Sequence, residues 1–289
     1  MGIFTHAPDR TARDTARVRT RPSTGYRYLD VLHEQPGTVL AFAHRGGASH
    51  PDIAGLENTM QAFRHAVSLG YDYLETDVHV TSDGVLLAFH DTVLDRVTDA
   101  TGKISESTYA EVRRARIGAT EPVPTLAELF DAFPTARFNV DLKADGAVDA
   151  LVRFLDEREA WDRVCVGSFS GRRLRRFRRL SHGRVVTSAS RGEVAAYRLL
   201  PSPVARLVTR GRPRVLQVPH RLRRLTIVTP GLVRRAHRAG LQVHVWTIDD
   251  PEEMKALIDR GVDGLMTDRT DILRAVLTES GRWRTADDR

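Results

Sequence analysis

Lysine is almost missing from this 289-residue chain: only Lys103, Lys143 and Lys255 occur, so nearly all of the 44 basic residues are arginine. Against 37 acidic residues they leave a net charge of +7. That balance suits anionic partners such as phosphates, lipid head groups or nucleic acid, but it speaks to association and solubility rather than to fold. Cysteine is scarcer still. Cys165 alone rules out an intramolecular disulfide and any cysteine-rich zinc cluster, and it agrees with a reducing, cytoplasmic setting. Long apolar runs are absent, which argues against a membrane span, and the first residues, with Asp9, Arg10, Arg13 and Arg17, lack the apolar segment of a secretory signal. What remains is an ordinary globular composition, 28% charged and 41% hydrophobic, in a chain long enough to bury a large core.

The pattern along the chain alternates. Residues 1–28 carry scattered arginines and Pro22 without a sustained apolar period and read as a mobile or loosely packed arm. After them, short apolar runs expected as strands (39–43, 71–78, 85–89, 137–142, 164–168, 184–187, 215–218, 243–246 and 262–266) are interleaved with helix-period segments. The helical segments are 57–69, 125–133, 147–159, 171–180, 230–239, 251–259 and 270–277. A proline-containing apolar insert near 189–213 interrupts the rhythm, and 281–289 reads as a tail. Eight or nine strands alternating with helices over residues 29–280, with no linker, predict a single (β/α)8 TIM barrel. The gap between Asp77 and Val85 is too short for a parallel crossover, so around strands two and three either the pair closes irregularly or one strand is not part of the ring.

In such a barrel, chemistry gathers where the strands end. The first strand runs into His44, Arg45, Gly46 and Gly47, the second into Glu75, Thr76 and Asp77, the third into His90 and Asp91, and the fourth into Asp141, Leu142 and Lys143. Side chains two apart share a strand face, so Glu75 aligns with Asp77 and Asp141 with Lys143. Three carboxylates converging in a small space call for a compensating cation, and all-oxygen ligation favours Mg²⁺ or Ca²⁺. Salt bridges to arginine are the competing explanation. His44 and His90 suit acid and base roles on opposite sides of a phosphorus centre, while Arg45 and Lys143 suit a phosphate. The other histidines considered, His33, His65, His79, His182, His220 and His237, read as packed or surface residues.

The ordered set His44-Arg45-Gly46, Glu57-Asn58-Thr59, Glu75-Thr76-Asp77-Val78, Thr81-Ser82-Asp83-Gly84, Phe89-His90-Asp91, Asp141-Leu142-Lys143, Trp246-Thr247-Ile248-Asp249, Val262-Asp263-Gly264 and Thr267-Asp268 resembles the glycerophosphodiester phosphodiesterases over about residues 38–277. The resemblance implies a TIM barrel that hydrolyses glycerophosphodiesters to an alcohol and sn-glycerol 3-phosphate. It makes His44 and His90 the acid/base pair, Glu75, Asp77 and Asp141 the ligands of one divalent cation, and Arg45 and Lys143 phosphate contacts. It adds Glu57 near the metal, and Phe169 and Trp246 along the substrate pocket. Three positions depart from the family pattern: Leu56 replaces a proline, Asp141 a glutamate and Asp249 an asparagine. The last would add negative charge favouring a cationic head group.

Two other readings bear on the same residues. The insert around Tyr197 to Val208, with Leu199, Leu200 and Val204, suggests a lid that admits a lysophospholipid or touches a membrane, which would make the chain a lysophospholipase D-type enzyme with peripheral membrane contact. Six arginines between Arg172 and Arg179 raise a basic nucleic-acid-binding protein as the alternative from another class. At helical spacing they more simply solvate one face of a helix that buries Leu174 and Phe177, so no nucleic acid is expected.

Overall fold

The computed structural model describes residues 22–284. In chain order its elements are α1 (Arg27–Glu34), β1 (Leu40–His44), α2 (Met60–Ser68), β2 (Tyr73–Val80), β3 (Leu86–Ala88), α3 (Tyr109–Val112), β4 (Arg116–Ile117), β5 (Glu121–Pro122), α4 (Leu126–Ala132) and β6 (Arg137–Leu142). Then follow α5 (Ala147–Glu157), β7 (Val164–Gly167), α6 (Gly171–Leu180), β8 (Val186–Thr187), α7 (Arg191–Leu199), α8 (Ser202–Val208) and β9 (Val215–Pro219). The chain closes with β10 (Arg221–Leu222), β11 (Leu225–Thr226), α9 (Pro230–Arg238), β12 (Gln242–Trp246), α10 (Pro251–Asp259), β13 (Gly264–Thr267) and α11 (Thr270–Glu279).

Eight parallel strands lie in the order β8-β7-β6-β2-β1-β13-β12-β9, and a single parallel bridge from Ser188 to Val215 joins the two ends into a TIM barrel. Helices start where their caps dictate. Thr59 and Thr229 accept from Ala62 N and Leu232 N, and Thr125 and Glu128 form a reciprocal capping box. Apolar residues facing the helices form one large core, with Leu74, Val140, Val166, Val243 and Leu265 among its fully buried strand members. No helix of the described residues is long and apolar enough to cross a membrane.

The floor of the barrel is stoppered by α1. Its Tyr28, Leu29, Val31 and Leu32 pack with Phe42, Tyr73, Cys165, Val215 and Met266, while Tyr73 Oη donates to Tyr28 O at 2.6 Å and Gln242 Nε2 to Leu29 O at 3.0 Å. The arm boundary expected at residue 28 therefore falls inside a packed helix; residues 1–21 of that arm, and 285–289 of the tail, lie outside the described residues. Within the expected tail, Trp283 stacks edge-on against Tyr71 and Arg284 reaches Asp72.

The irregularity expected around strands two and three is a strand outside the ring: β3 pairs antiparallel with β2, Val80 opposite Leu86 and Val78 opposite Ala88, because the short turn through Gly84 (φ +88°) permits only a hairpin. The proline-containing insert of 189–213 is built as α7 and α8, with Pro201 capping α8 and Pro203 in its first turn, where a missing N–H costs nothing.

Candidate active site

The register of the ring sets the inward pairs. His44 lies beside Glu75, Asp77 beside Asp141, and Asp141 beside Gly167. All point into the mouth at the C-terminal ends of the strands. His90 arrives by another route. After β3 descends along β2, Phe89 N donates to Asp77 O at 2.9 Å, which returns the next residue to the level of the carboxylates.

The turn after β1 is equally specific. Arg45, Gly46 and Gly47 all have positive φ (50°, 86° and 93°), and a Cβ on Gly46 or Gly47 would lie 2.7 Å from Ala62 or Thr270. Only glycine fits such close approach in a left-handed backbone. The turn folds Arg45 back so that its N–H donates to Glu75 Oε2 at 3.1 Å and its Nε lies 3.1 Å from Asp77.

Every residue expected at the site is in one connected group. Lys143 Nζ bridges Asp77 (2.9 Å) and Asp141 (2.6 Å). Arg45 reaches Glu57 at 3.2 Å, and Arg96 grips Glu57 through Nη1 and Nη2 and Asp91 through Nε. Asp91 in turn holds His90 Nδ1 at 2.6 Å. On the other side Lys143 lies 5.7 Å over the Phe169 ring, which meets Trp246 edge-on, also at 5.7 Å. Phe169 is 51% exposed, so this aromatic wall is open to whatever enters.

Charge and burial pull against one another here. Burial alone would depress His44, but Glu75 at 3.8 Å from Nε2 and Asp268 at 2.7 Å from Nδ1 outweigh it and raise the imidazole to about 9. Burial, with Asp77 beside it, pushes the Glu75 carboxyl upward. Burial likewise raises Asp141, while in Asp77 it is overcome by Lys143 and Arg45, which hold that carboxyl below its usual range. The same carboxylates raise Lys143 against its own burial.

Four contributors were not singled out from the sequence. Asp268 orients His44 across 224 residues of separation. Asp91 and Arg96 do the equivalent for His90 and Glu57, and Asn58 accepts from Thr76 Oγ1 at 2.8 Å while standing 3.5 Å from Asp77. Asp91 and Asp268 both sit inside quoted motifs, so adjacency to a histidine and to the last strand end was the available signal. Asp249 does not confront a head group: its Oδ1 accepts from Thr267 Oγ1 and from the Asp268 and Arg269 N–H groups, and so it fixes the loop that carries Asp268.

Elsewhere, His50, Asp52 and His65 bring three potential ligand atoms within 4.8 Å of one another. Their simpler role is structural, since His50 Nδ1 already accepts the Asp52 N–H and the tilted His50 and His65 rings pack with centroids 4.2 Å apart. The proposed lid also lies elsewhere: α8 connects the end of α7 to the start of β9, and Ser202 Oγ donates to Arg235 O late in α9, so Leu199, Val204 and Leu207 belong to the edge of the barrel opposite the mouth.

Residues 44–272 match the model of the glycerophosphoryl diester phosphodiesterase family. The chain belongs to that family. It is 40% identical over 251 residues to a probable glycerophosphodiester phosphodiesterase 2 of Mycobacterium tuberculosis, covering 86% of this chain and 94% of the relative. Human lysophospholipase D GDPD1 is 28% identical, with 87% and 91% covered. Among solved structures, a glycerophosphoryl diester phosphodiesterase from Silicibacter pomeroyi superposes with a TM-score of 0.73 at 25% identity over 89% of this chain and 99% of that one. A phosphodiesterase of Oleispira antarctica, solved with its product sn-glycerol-3-phosphate, shares the fold with a TM-score of 0.69 at 22% identity, over 82% and 96%. The enzyme is thus a glycerophosphodiester phosphodiesterase built on a TIM barrel.

Proposed function

We propose that the enzyme cleaves glycerophosphodiesters in a cation-dependent reaction with His44 and His90 as the acid/base pair. The observation that carries this reading is the connected group at the mouth, in which two imidazoles, each held at Nδ1 by a carboxylate, accompany three strand-end carboxylates and two cations. Glu75, Asp77 and Asp141 would hold the ion. The donor set is all carboxylate oxygen, which suits a hard divalent cation, Mg²⁺ or Ca²⁺, although the three do not bring their oxygens within 4.8 Å of one another and Lys143 Nζ stands between Asp77 and Asp141. When bound, the ion supplies polarisation of a non-bridging phosphate oxygen.

The protein's own groups do the rest. Arg45 and Lys143 neutralise charge as it grows on the phosphoryl oxygens. With Nδ1 committed to Asp268 or Asp91, each histidine has Nε2 left for proton transfer, one taking the nucleophile's proton and the other supplying the leaving alkoxide. The nucleophile is water or the substrate's own glycerol 2-hydroxyl. Glu57 sets Arg45 and Arg96 in place, and Phe169 with Trp246 lines the approach for the departing group.

The test is a chelator-controlled assay of glycerol 3-phosphate release from glycerophosphocholine and glycerophosphoethanolamine with Mg²⁺ or Ca²⁺. No release with either ion defeats the reading. The histidine whose loss is relieved by a p-nitrophenyl leaving group, which needs no proton, is the acid. A second reading, hydrolysis of lysophospholipids, is favoured by the exposed Phe169 and by the name of the human relative. Choline release from lysophosphatidylcholine, compared with that from glycerophosphocholine, decides between them.

A further inference from the structure

The strand beside the one that ends in Trp246 leads into a hairpin at the mouth. β9 pairs with β12 so that Pro219 lies opposite Trp246, and immediately beyond Pro219 the chain leaves the ring as the β10–β11 hairpin. Leu222 and Leu225 are cross-strand partners in that hairpin, so they lie side by side on one face, and they are 60% and 51% exposed. Arg221, Arg223 and Arg224 are exposed around them, and no acidic residue occurs between Pro219 and Thr229. The root is firmly built: Ile227 N and Val228 N both donate to His220 O, Val228 is fully buried, and the His220 ring is held by Glu253 and Arg260.

An apolar tip ringed by arginine at the rim of a catalytic mouth fits a surface that is apolar within and anionic outside. We propose that the β10–β11 hairpin docks the enzyme on an anionic phospholipid surface, with Leu222 and Leu225 entering the acyl boundary and Arg221, Arg223 and Arg224 meeting the phosphates. Charge complementarity selects this partner, and the size of the patch agrees with it. Two leucines are far too small for a stable protein interface, which needs about 1,000 Å², whereas shallow insertion plus several arginines suffices for reversible membrane binding. Docking there would hold Trp246 and Phe169 toward the lipid, so that diesters leaving or still anchored in the bilayer enter along the aromatic wall. That consequence rests on the proposed hydrolysis; the docking itself does not.

The test is sedimentation of the intact enzyme with vesicles of phosphatidylcholine alone or mixed with phosphatidylglycerol. The enzyme is expected to pellet with the mixed vesicles and to be released by salt. Leu222→Asp combined with Leu225→Asp is expected to cut partitioning at least about tenfold. Arg223→Asn with Arg224→Gln, the asparagine chosen for the positive φ at position 223, is expected to do so by about tenfold or more. Turnover of soluble glycerophosphocholine should stay within about twofold in both, because neither pair touches the catalytic group. Failure of the unaltered enzyme to bind mixed vesicles, or unchanged binding by both variants, overturns the proposal. So does a shift of duplex DNA at a salt concentration where vesicles are ignored, which would make nucleic acid the partner. Sedimentation needs no turnover, and soluble turnover needs no vesicle, so failure of docking is distinguishable from failure of the hydrolytic reading.

Discussion

The mouth of the barrel and its flank at α6 are both crowded with charge, and they manage it in opposite ways. On the flank, Arg172 and Arg173 pair with Asp145, Arg176 with Asp149 and Arg178 with Glu193. With Arg210, Arg212 and Arg214 these arginines and the two aspartates line an open cleft of about 1040 Å³. The helix earns its place through Leu174 and Phe177, both fully buried, and water solvates most of what remains. At the mouth Glu75 and Asp77 are almost inaccessible and lean on Lys143, Arg45 and His44. Burial, rather than the number of ionised groups, decides which of the two regions is chemically consequential.

The contrast breaks if the two regions respond alike to substitution. His44→Ala and His90→Ala should each lower kcat/KM by roughly 10²–10⁴-fold in a steady-state assay while the fold is retained. Rates near those of the unaltered enzyme would remove that histidine from the reaction. Lys143→Met strands Asp77 and Asp141 against each other, and denaturant unfolding in chelator should show a loss on the order of 3–5 kcal/mol.

The effect of pH sharpens the comparison further. Because the folded protein raises His44 from its ordinary 6.5 to about 9, that contribution is complete below pH 6.5 and is lost as pH rises through 9. Unfolding midpoints of the chelator-treated enzyme should fall across that window, by an amount on the order of 3 kcal/mol at most. A midpoint that instead rises across it would contradict the assigned surroundings of His44. On the flank, Arg176→Ala should shift stability by less than about 0.5 kcal/mol, and a larger loss would show that its pairing with Asp149 acts as a buried one.

How far the sequence alone leads differs between these regions. The strand ends and the α6 face are local patterns: Glu75 and Asp77 two apart, or Leu174 and Phe177 three apart, declare a common face without knowledge of the rest. The ring itself follows from strand and helix periods. What escaped is long-range or antiparallel. The Asp268 contact to His44 is made by loops that only barrel closure brings together, and the return of His90 depends on β3 running down β2 rather than joining the ring. In the 189–213 segment, Pro201 and Pro203 read as breaks because proline interrupts helices, yet at a first turn it starts them. The same composition thus supports opposite readings until the position within the element is known.

The seam of the barrel has a consequence for how the molecule breathes. β8 is only two residues long, and one bridge from Ser188 to Val215 joins it to β9, whereas β2 and β6 share six consecutive register pairs. Transient parting of the staves should therefore begin between β8 and β9, and amide hydrogens there should exchange with solvent sooner than those of β2 and β6. Since β1, β2 and β6 stand across the ring from that joint, the enzyme can flex at its weakest point while the strands that hold the acids stay clasped.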